Sequence, residues 1–270
     1  MGRYLLYHKT KHSKEMTNKN CLNCNSTLNG RFCSNCGQSS DTKKINFHYL
    51  WHDIQHGLLH IDKGILFTTK ELFTRPGNSI REFLNGKRVN HFKPISFVII
   101  LAGIYSLLSH YFELNLFSNF YEINGNGGSF EYSKTVVDNV SKWFSNHYSI
   151  SSLFQIPIFS LGTYFCFKKV KYNFIEHLII NTFISGQKLI LHIFTFPIYY
   201  WLNKTSLSRP IDQTIDIIGF AIAFWTIFQL FNEINSFQRF WRTLCSLVIP
   251  FVVIILLLAL IFLTFIKVVN

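Results

Sequence analysis

The sequence predicts an all-α integral membrane bundle of about five transmembrane helices, with amphipathic juxtamembrane helices and a small cysteine-rich head in front of it. Three observations carry that reading. Of 270 residues, 49% are hydrophobic and only 15% charged, against ~25% charged in ordinary soluble domains. Five apolar runs come close to or exceed the ~20 residues that a helix needs to cross a bilayer core. Four of the six cysteines fall into two CxxC pairs near the N-terminus.

Residues 1–20 read as a disordered basic tail. They hold no apolar stretch followed by a small-residue cleavage site, so they do not read as a secretory signal. Leu6 stands where a myristoylation pattern needs Ser or Thr. Met16 directly precedes the first motif, which leaves Met1 and Met16 as alternative starts.

Residues 21–40 contain Cys21-x2-Cys24-x8-Cys33-x2-Cys36-Gly37. Each CxxC forms a tight knuckle that aims two thiolates at one point, and four thiolates suit tetrahedral Zn²⁺ at ~2.3 Å. The turns need φ > 0 after each pair, which Gly37 and Asn25 tolerate best. The eight intervening residues suffice for a short hairpin turning at Asn29-Gly30. The reading is a zinc ribbon whose Zn²⁺ is structural, because about twenty residues cannot bury a core and the metal must fold them. Iron in the same thiolate cage and a redox dithiol are the alternatives. Four protein ligands leave no open position for hydrolysis. Cys166 and Cys245, in apolar runs, read as small core hydrophobes.

Residues 41–93 read as amphipathic interfacial helices. Leu50, Ile54 and Leu58 share one face. A second helix covers about 63–74 and ends at Pro76-Gly77. A third covers about 79–85 and stops at Gly86. His48, His52, His56 and His60 recur every four residues and form a stripe. That stripe is a possible second metal site, a pH-sensing or lipid-facing surface, or simply a row of half-exposed histidines. Lys87, Arg88, His91 and Lys93 just before the first span are possible lipid-phosphate contacts, or ordinary positive-inside anchors. The Gly86-Lys87 pair lacks the rest of a phosphate-binding loop.

Residues 94–270 form the transmembrane domain, with spans at about 94–112, 149–167, 176–202, 214–231 and 244–266. The 113–148 connection, with NGNGGS at 124–129, reads as an exposed outer loop. The third span carries His177, Asn181, Ser185, Lys188 and His192 on one helical face. They form a possible intramembrane polar path or a structural pairing surface, since a mid-span charge should face protein or water. Glu176 and Asp216 are candidate partners for Lys188, both nearer the membrane surfaces.

The formal net charge is +12, and residues 1–93 hold 15 Lys/Arg against 6 Asp/Glu. This bias puts the N-terminus in the cytoplasm and the C-terminus outside. It favours anionic membrane lipid over nucleic acid as the partner of the basic region.

CLNC at 21–24, RFCSNCGQ at 31–38, HIDKGILFTTKELFTRPG at 60–77 and IREFLNGKRVNHFKP at 80–94 together resemble an uncharacterised bacterial family of zinc-ribbon-headed multi-pass membrane proteins, a domain of unknown function. The resemblance covers about 16–112, and the remainder only as hydrophobic spans. It implies zinc at the four clustered cysteines, Cys21, Cys24, Cys33 and Cys36, and an integral membrane location, and it brings no activity or substrate. No Ser/His/Asp set, HExxH pattern or phosphate loop points to an enzyme. The expected role is a non-enzymatic, membrane-anchored zinc-ribbon protein that meets a protein partner, or regulates one, at the cytoplasmic face. The alternative is a small transporter or permease-like protein using the polar third span. Partner, cargo and oligomeric state are not encoded in any pattern found.

Overall fold

The computed structural model describes residues 20–42, 44–51, 64–112, 148–170, 172–202, 205 and 207–269. The expectations for the basic tail, for most of the 113–148 loop and for His52, His56 and His60 lie outside them.

Seven helices are bounded among the described residues: α1 (Gly64–Thr74), α2 (Pro76–Leu84), α3 (Pro94–Tyr111), α4 (Tyr148–Phe167), α5 (Phe174–Leu202), α6 (Ser208–Leu230) and α7 (Ser236–Val269). Four of these are long and apolar enough to cross a membrane: α3, α5, α6 from Pro210 and α7 over Ser236–Ile254. The chain is therefore a multi-pass membrane protein. The expected count of about five compares with these four. In α4 the stretch Ser152–Phe167 is apolar but shorter.

Side-chain pairs fix the direction of each long helix. On α3, Phe97 lies beside Gly186, Tyr105 beside His192 and Phe112 beside Tyr200 of α5, so α3 and α5 run parallel. On α4, Phe159 meets Lys188 while Tyr164 meets Phe174, so α4 runs antiparallel to α5. On α6, Thr226 meets Gln187 and Asp216 meets His192, also antiparallel. On α7, Phe251 touches both Phe159 and Phe220, and Phe240 touches Phe224. The five long helices thus alternate up and down. The start of α5 and the ends of α4 and α6 gather on one side, where Phe167 stacks on Phe231 at 3.8 Å.

The helix ends are chemically specified. Asn173 and Glu176 form a reciprocal box at the start of α5. The Asn173 Oδ1 accepts the Glu176 amide at 2.9 Å, and the Glu176 carboxylate accepts the Asn173 amide at 2.7 Å. This satisfies two otherwise orphan donors. Glu176 bonds Asn173 there, and Lys188 stands about 18 Å further along the same helix at 1.5 Å per residue, out of its reach. Pro76 does not simply break a helix: it opens α2 at its first position, where its missing N–H costs nothing. α2 ends when the Gly86 amide bonds the Phe83 carbonyl and the Lys87 amide bonds the Glu82 carbonyl, with Gly86 at φ 103.

α1 and α2 do not stand apart from the bundle. α2 buries Gly77, Ile80, Phe83 and Leu84 and meets the end of α6 directly. The Gln229 Oε1 accepts the Gly77 amide at 2.8 Å, and Arg81 donates to the Gln229 carbonyl at 2.7 Å and to the Leu230 carbonyl. Each helix end is capped by the other. From the middle of α5, buried Gln187 donates to the Leu72 carbonyl on α1 and accepts from Thr226 on α6 at 3.0 Å.

Candidate metal centre and its seat on the bundle

Two knuckles build the head. In the first, the Asn25 amide bonds the Cys21 carbonyl and the Cys21 amide bonds the Ser26 carbonyl, each at 2.8 Å. In the second, the Gly37 amide bonds the Cys33 carbonyl and the Cys33 amide bonds the Gln38 carbonyl, again at 2.8 Å. Asn25 has φ 61 and Gly37 φ 76, the conformation the spacing demands. The hairpin expected across the intervening segment does not form. Each knuckle instead closes on its own isolated bridge, Asn20 with Thr27 and Phe32 with Ser39. The residues between Thr27 and Phe32 serve as a connector.

Cys21, Cys24, Cys33 and Cys36 present sulfurs that all lie within 4.8 Å of one another. Cys21 to Cys36 and Cys24 to Cys33 are each 3.5 Å apart, both across the two knuckles, and the thiols are free. Four ligands at ~2.3 Å from a tetrahedral centre stand roughly 3.8 Å apart, so the cluster can hold a metal ion. The Ser26 hydroxyl, 3.3 Å from the Cys24 sulfur, and the Ser26 backbone hold that thiol down to about 6. Against the pull of the Gln38 backbone, desolvation and the neighbouring thiols push Cys36 up to about 11. Four adjacent thiols cannot all ionise unless a cation stands among them.

The head is seated, not tethered. Gln38, which follows the second knuckle, is buried. Its Nε2 donates to the Gly86 carbonyl at 2.8 Å, and its Oε1 accepts the Arg88 amide at 3.1 Å. A Cβ on Gly86 would lie 2.7 Å from Leu22 Cδ1, so the first knuckle also rests on this turn. The Arg88 guanidinium lies 4.9 Å from the Tyr49 ring centroid and 5.4 Å from that of Phe83. Asn173, at the start of α5, donates to the Ile45 carbonyl at 3.1 Å and holds the linker. Two of the sequence motifs, RFCSNCGQ and NGKR, are therefore the two sides of one contact.

The other expected sites fare unevenly. His48 is exposed on a helical stretch at 47–51, and the rest of its stripe is undescribed. Lys87 pairs with Glu82 at 3.7 Å. Arg88 also donates to the Phe83 carbonyl at 3.2 Å. His91 turns inward, its Nε2 2.9 Å from the Ser79 hydroxyl and its ring edge-on to Phe67 and Phe83. Burial holds its pKa below the usual histidine range. Lys93 is exposed.

On α5 the polar stripe divides. His177 and Asn181 face α4, where the Thr163 hydroxyl lies 3.2 Å from His177 Nδ1 and 2.9 Å from Asn181 Nδ2. Ser185 is half-buried. Lys188 lies between rings, 4.6 Å from the Phe220 centroid and 5.4 Å from that of Phe159. His192 lies 3.8 Å from Asp216. The sequence reading did not single out Gln187, Arg81 or Gln229, which tie α1, α2, α5 and α6 together.

Residues 62–106 match a family model described as a protein of unknown function (DUF3667). The match covers α1, α2, the turn that receives Gln38 and most of α3. No curated protein and no solved structure matches the chain.

Proposed function

We propose that this chain is a membrane-anchored zinc-ribbon protein whose head, closed by structural Zn²⁺, is a docking surface for a protein partner on the cytoplasmic side of a bacterial inner membrane. Zinc is the ion that a closed set of four thiolates suits best. The cytoplasmic assignment rests on the basic bias of residues 1–93. The same bias sets anionic lipid beneath the head and α1–α2.

One observation carries the reading: the double hydrogen bond from Gln38 to the turn at Gly86–Arg88. A head held rigidly against the bundle presents a fixed face to a partner, with little ordering left to do on binding. Phe32 is 66% exposed on the connector side of the second knuckle and is its natural anchor. A transporter would need the polar face of α5 to meet water. His177 and Asn181 instead engage Thr163, and Lys188 lies against aromatic rings. The role proposed is non-enzymatic.

A photo-crosslinking residue at Phe32, used in intact membranes, tests this. A discrete protein adduct that disappears in the Cys33→Ser background is expected. Adducts to lipid alone, or a protein adduct indifferent to Cys33→Ser, would refute it.

A further inference from the structure

The end of α4 and the start of α7 set three cations near one level. A Cβ on Gly162 would lie 2.7 Å from the Ser246 carbonyl oxygen, and Phe159 meets Phe251, so α4 and α7 are antiparallel neighbours there. One turn further, forward along α4 and back along α7, come Cys166 and Arg242. They are close enough for the guanidinium to act on the thiol. Lys168 and Lys169 follow in the turn that closes α4, both exposed. Among the described residues, none of these three cations forms an ion pair. Arg239, a turn before Arg242, is committed to the Phe228 ring at 3.9 Å and to the Ser236 hydroxyl at 3.3 Å. The acids of the neighbouring helix ends are Glu176, bonded to the Asn173 amide, and Glu233, which acts on Tyr172. Residues 236–269 contain no acid at all.

The same flank carries apolar surface further into the span. Leu161 and Phe165 of α4 and Ile249 and Val252 of α7 are exposed. At about 100° per residue, all four fall on one side of the α4–α7 contact, the side of Arg242. Trp241 is half exposed beside them. The ring centroids of Phe240 and Phe237 lie 5.6 and 6.5 Å from its own. Indole rings settle at the headgroup level of a bilayer, which is the level at which the three cations stand.

We infer that this flank binds an anionic phospholipid, its phosphate held by Arg242 with Lys168 and Lys169 and its acyl chains lying on the apolar side chains of α4 and α7. Charge selects the headgroup, because three cations without a carboxylate partner attract an anionic lipid over a zwitterionic one. The apolar strip selects a lipid over a soluble phosphate, which would leave it uncovered. Built by α4 and α7, the site needs neither the cysteine head nor its docking partner.

The test reconstitutes the full-length protein in phosphatidylcholine vesicles that carry a tracer with a diazirine in its acyl chain. The tracer is either phosphatidylglycerol or phosphatidylcholine, and the labelled peptides are identified by mass spectrometry. Peptides from the end of α4 and the start of α7 should take the phosphatidylglycerol tracer several times more strongly. Unlabelled phosphatidylglycerol should compete, and soluble glycerol phosphate should not. Replacing Lys168, Lys169 and Arg242 together by Gln should bring the two tracers level, while Arg242→Lys should keep the preference. Lys168→Gln with Lys169→Gln, at exposed turn positions, should lower it without loss of melting temperature, which decides the matter if the triple variant folds poorly. Equal labelling of these peptides by both tracers, or a preference that the Lys168→Gln, Lys169→Gln pair leaves intact, would overturn the inference. So would competition by soluble glycerol phosphate.

Discussion

Gln38 donates to the Gly86 carbonyl across 48 residues of sequence, at 2.8 Å and out of water. With the return bond from the Arg88 amide, one side-chain amide joins the cysteine head to the turn that leads into the first span. Losing it leaves a buried carbonyl and a backbone amide without their partner, at about 1–3 kcal/mol for each unsatisfied group. Gln38→Ala should therefore keep its metal but release the head. Limited proteolysis should cut faster between the head and α1, and the melting temperature should drop by several degrees. Unchanged proteolysis would mean that Leu22 and Arg88 suffice to hold the head.

Purified protein should contain close to one zinc per chain by elemental analysis. Cys33→Ser should lose it, since three thiolates close the site poorly. Zinc retained in full by that variant would remove the four-thiolate site. A value near two would direct attention to His48, His52, His56 and His60.

Among the described glycines, Gly77 makes the closest approach to another backbone. A Cβ there would lie 2.3 Å from the Leu230 nitrogen and 2.6 Å from the Gln229 carbonyl carbon, both backbone atoms that cannot step aside. Gly77→Ala should destabilise by about 1–3 kcal/mol or more. Gly103→Ala, with nothing within 4 Å, should be neutral or slightly stabilising. Equal melting temperatures for the two variants would contradict the α2–α6 contact.

His91 supplies a pH dependence. Burial keeps it neutral in the folded chain, below its usual pKa, whereas the unfolded chain takes up a proton near pH 6.5. The unfolded state then binds more protons, so stability falls as pH falls. The contribution is complete above about 6.5 and is lost as pH drops through the lower folded value. Melting curves from pH 7.5 to pH 5 should show the decline, and His91→Gln should flatten it. A slope unaffected by that substitution would assign the effect to other groups.

Lys188 offers a test of the transport alternative. Its ammonium packs against Phe159 and Phe220, and a methionine can occupy the same space with favourable sulfur–ring contacts. Lys188→Met should melt at the same temperature or higher, because a desolvated charge disappears. It should also complement a deletion strain. A stable variant that fails to complement would revive the polar-path reading of α5.

The parts of this structure that were legible in the sequence are those set by local chemistry. Asn25 and Gly37 could be placed at positive φ because a CxxC knuckle closes in one way. Gly86 could be read as a helix stop for the same kind of reason. The apolar runs gave the positions of the long helices, but not their ends. α6 starts at Ser208 and α7 at Ser236, each several residues ahead of the run, because apolarity does not register a helix continuing through polar residues. Glu176 looked like a charge in need of a cation, and its actual partner, the Asn173 amide, is three residues away. Gln187 was passed over because nothing local marks it. Its two partners come from Leu72 and Thr226, 115 and 39 residues distant. The hairpin at Asn29-Gly30 was misread because that dipeptide favours a turn without specifying which strands it joins.

The mutual capping of α2 and α6 also sets an order of events during synthesis. Gly77 leaves the ribosome 152 residues before Gln229. At 5–20 residues per second that interval is roughly 8–30 s. Throughout it, the apolar side of α2, with Ile80, Phe83 and Leu84, lacks its α6 surface, while the cysteine knuckles close on backbone hydrogen bonds within their own twenty residues. The nascent chain thus carries a finished head on an unseated hairpin until its fourth long helix emerges. Truncation anywhere before residue 229 leaves α2 without its cap.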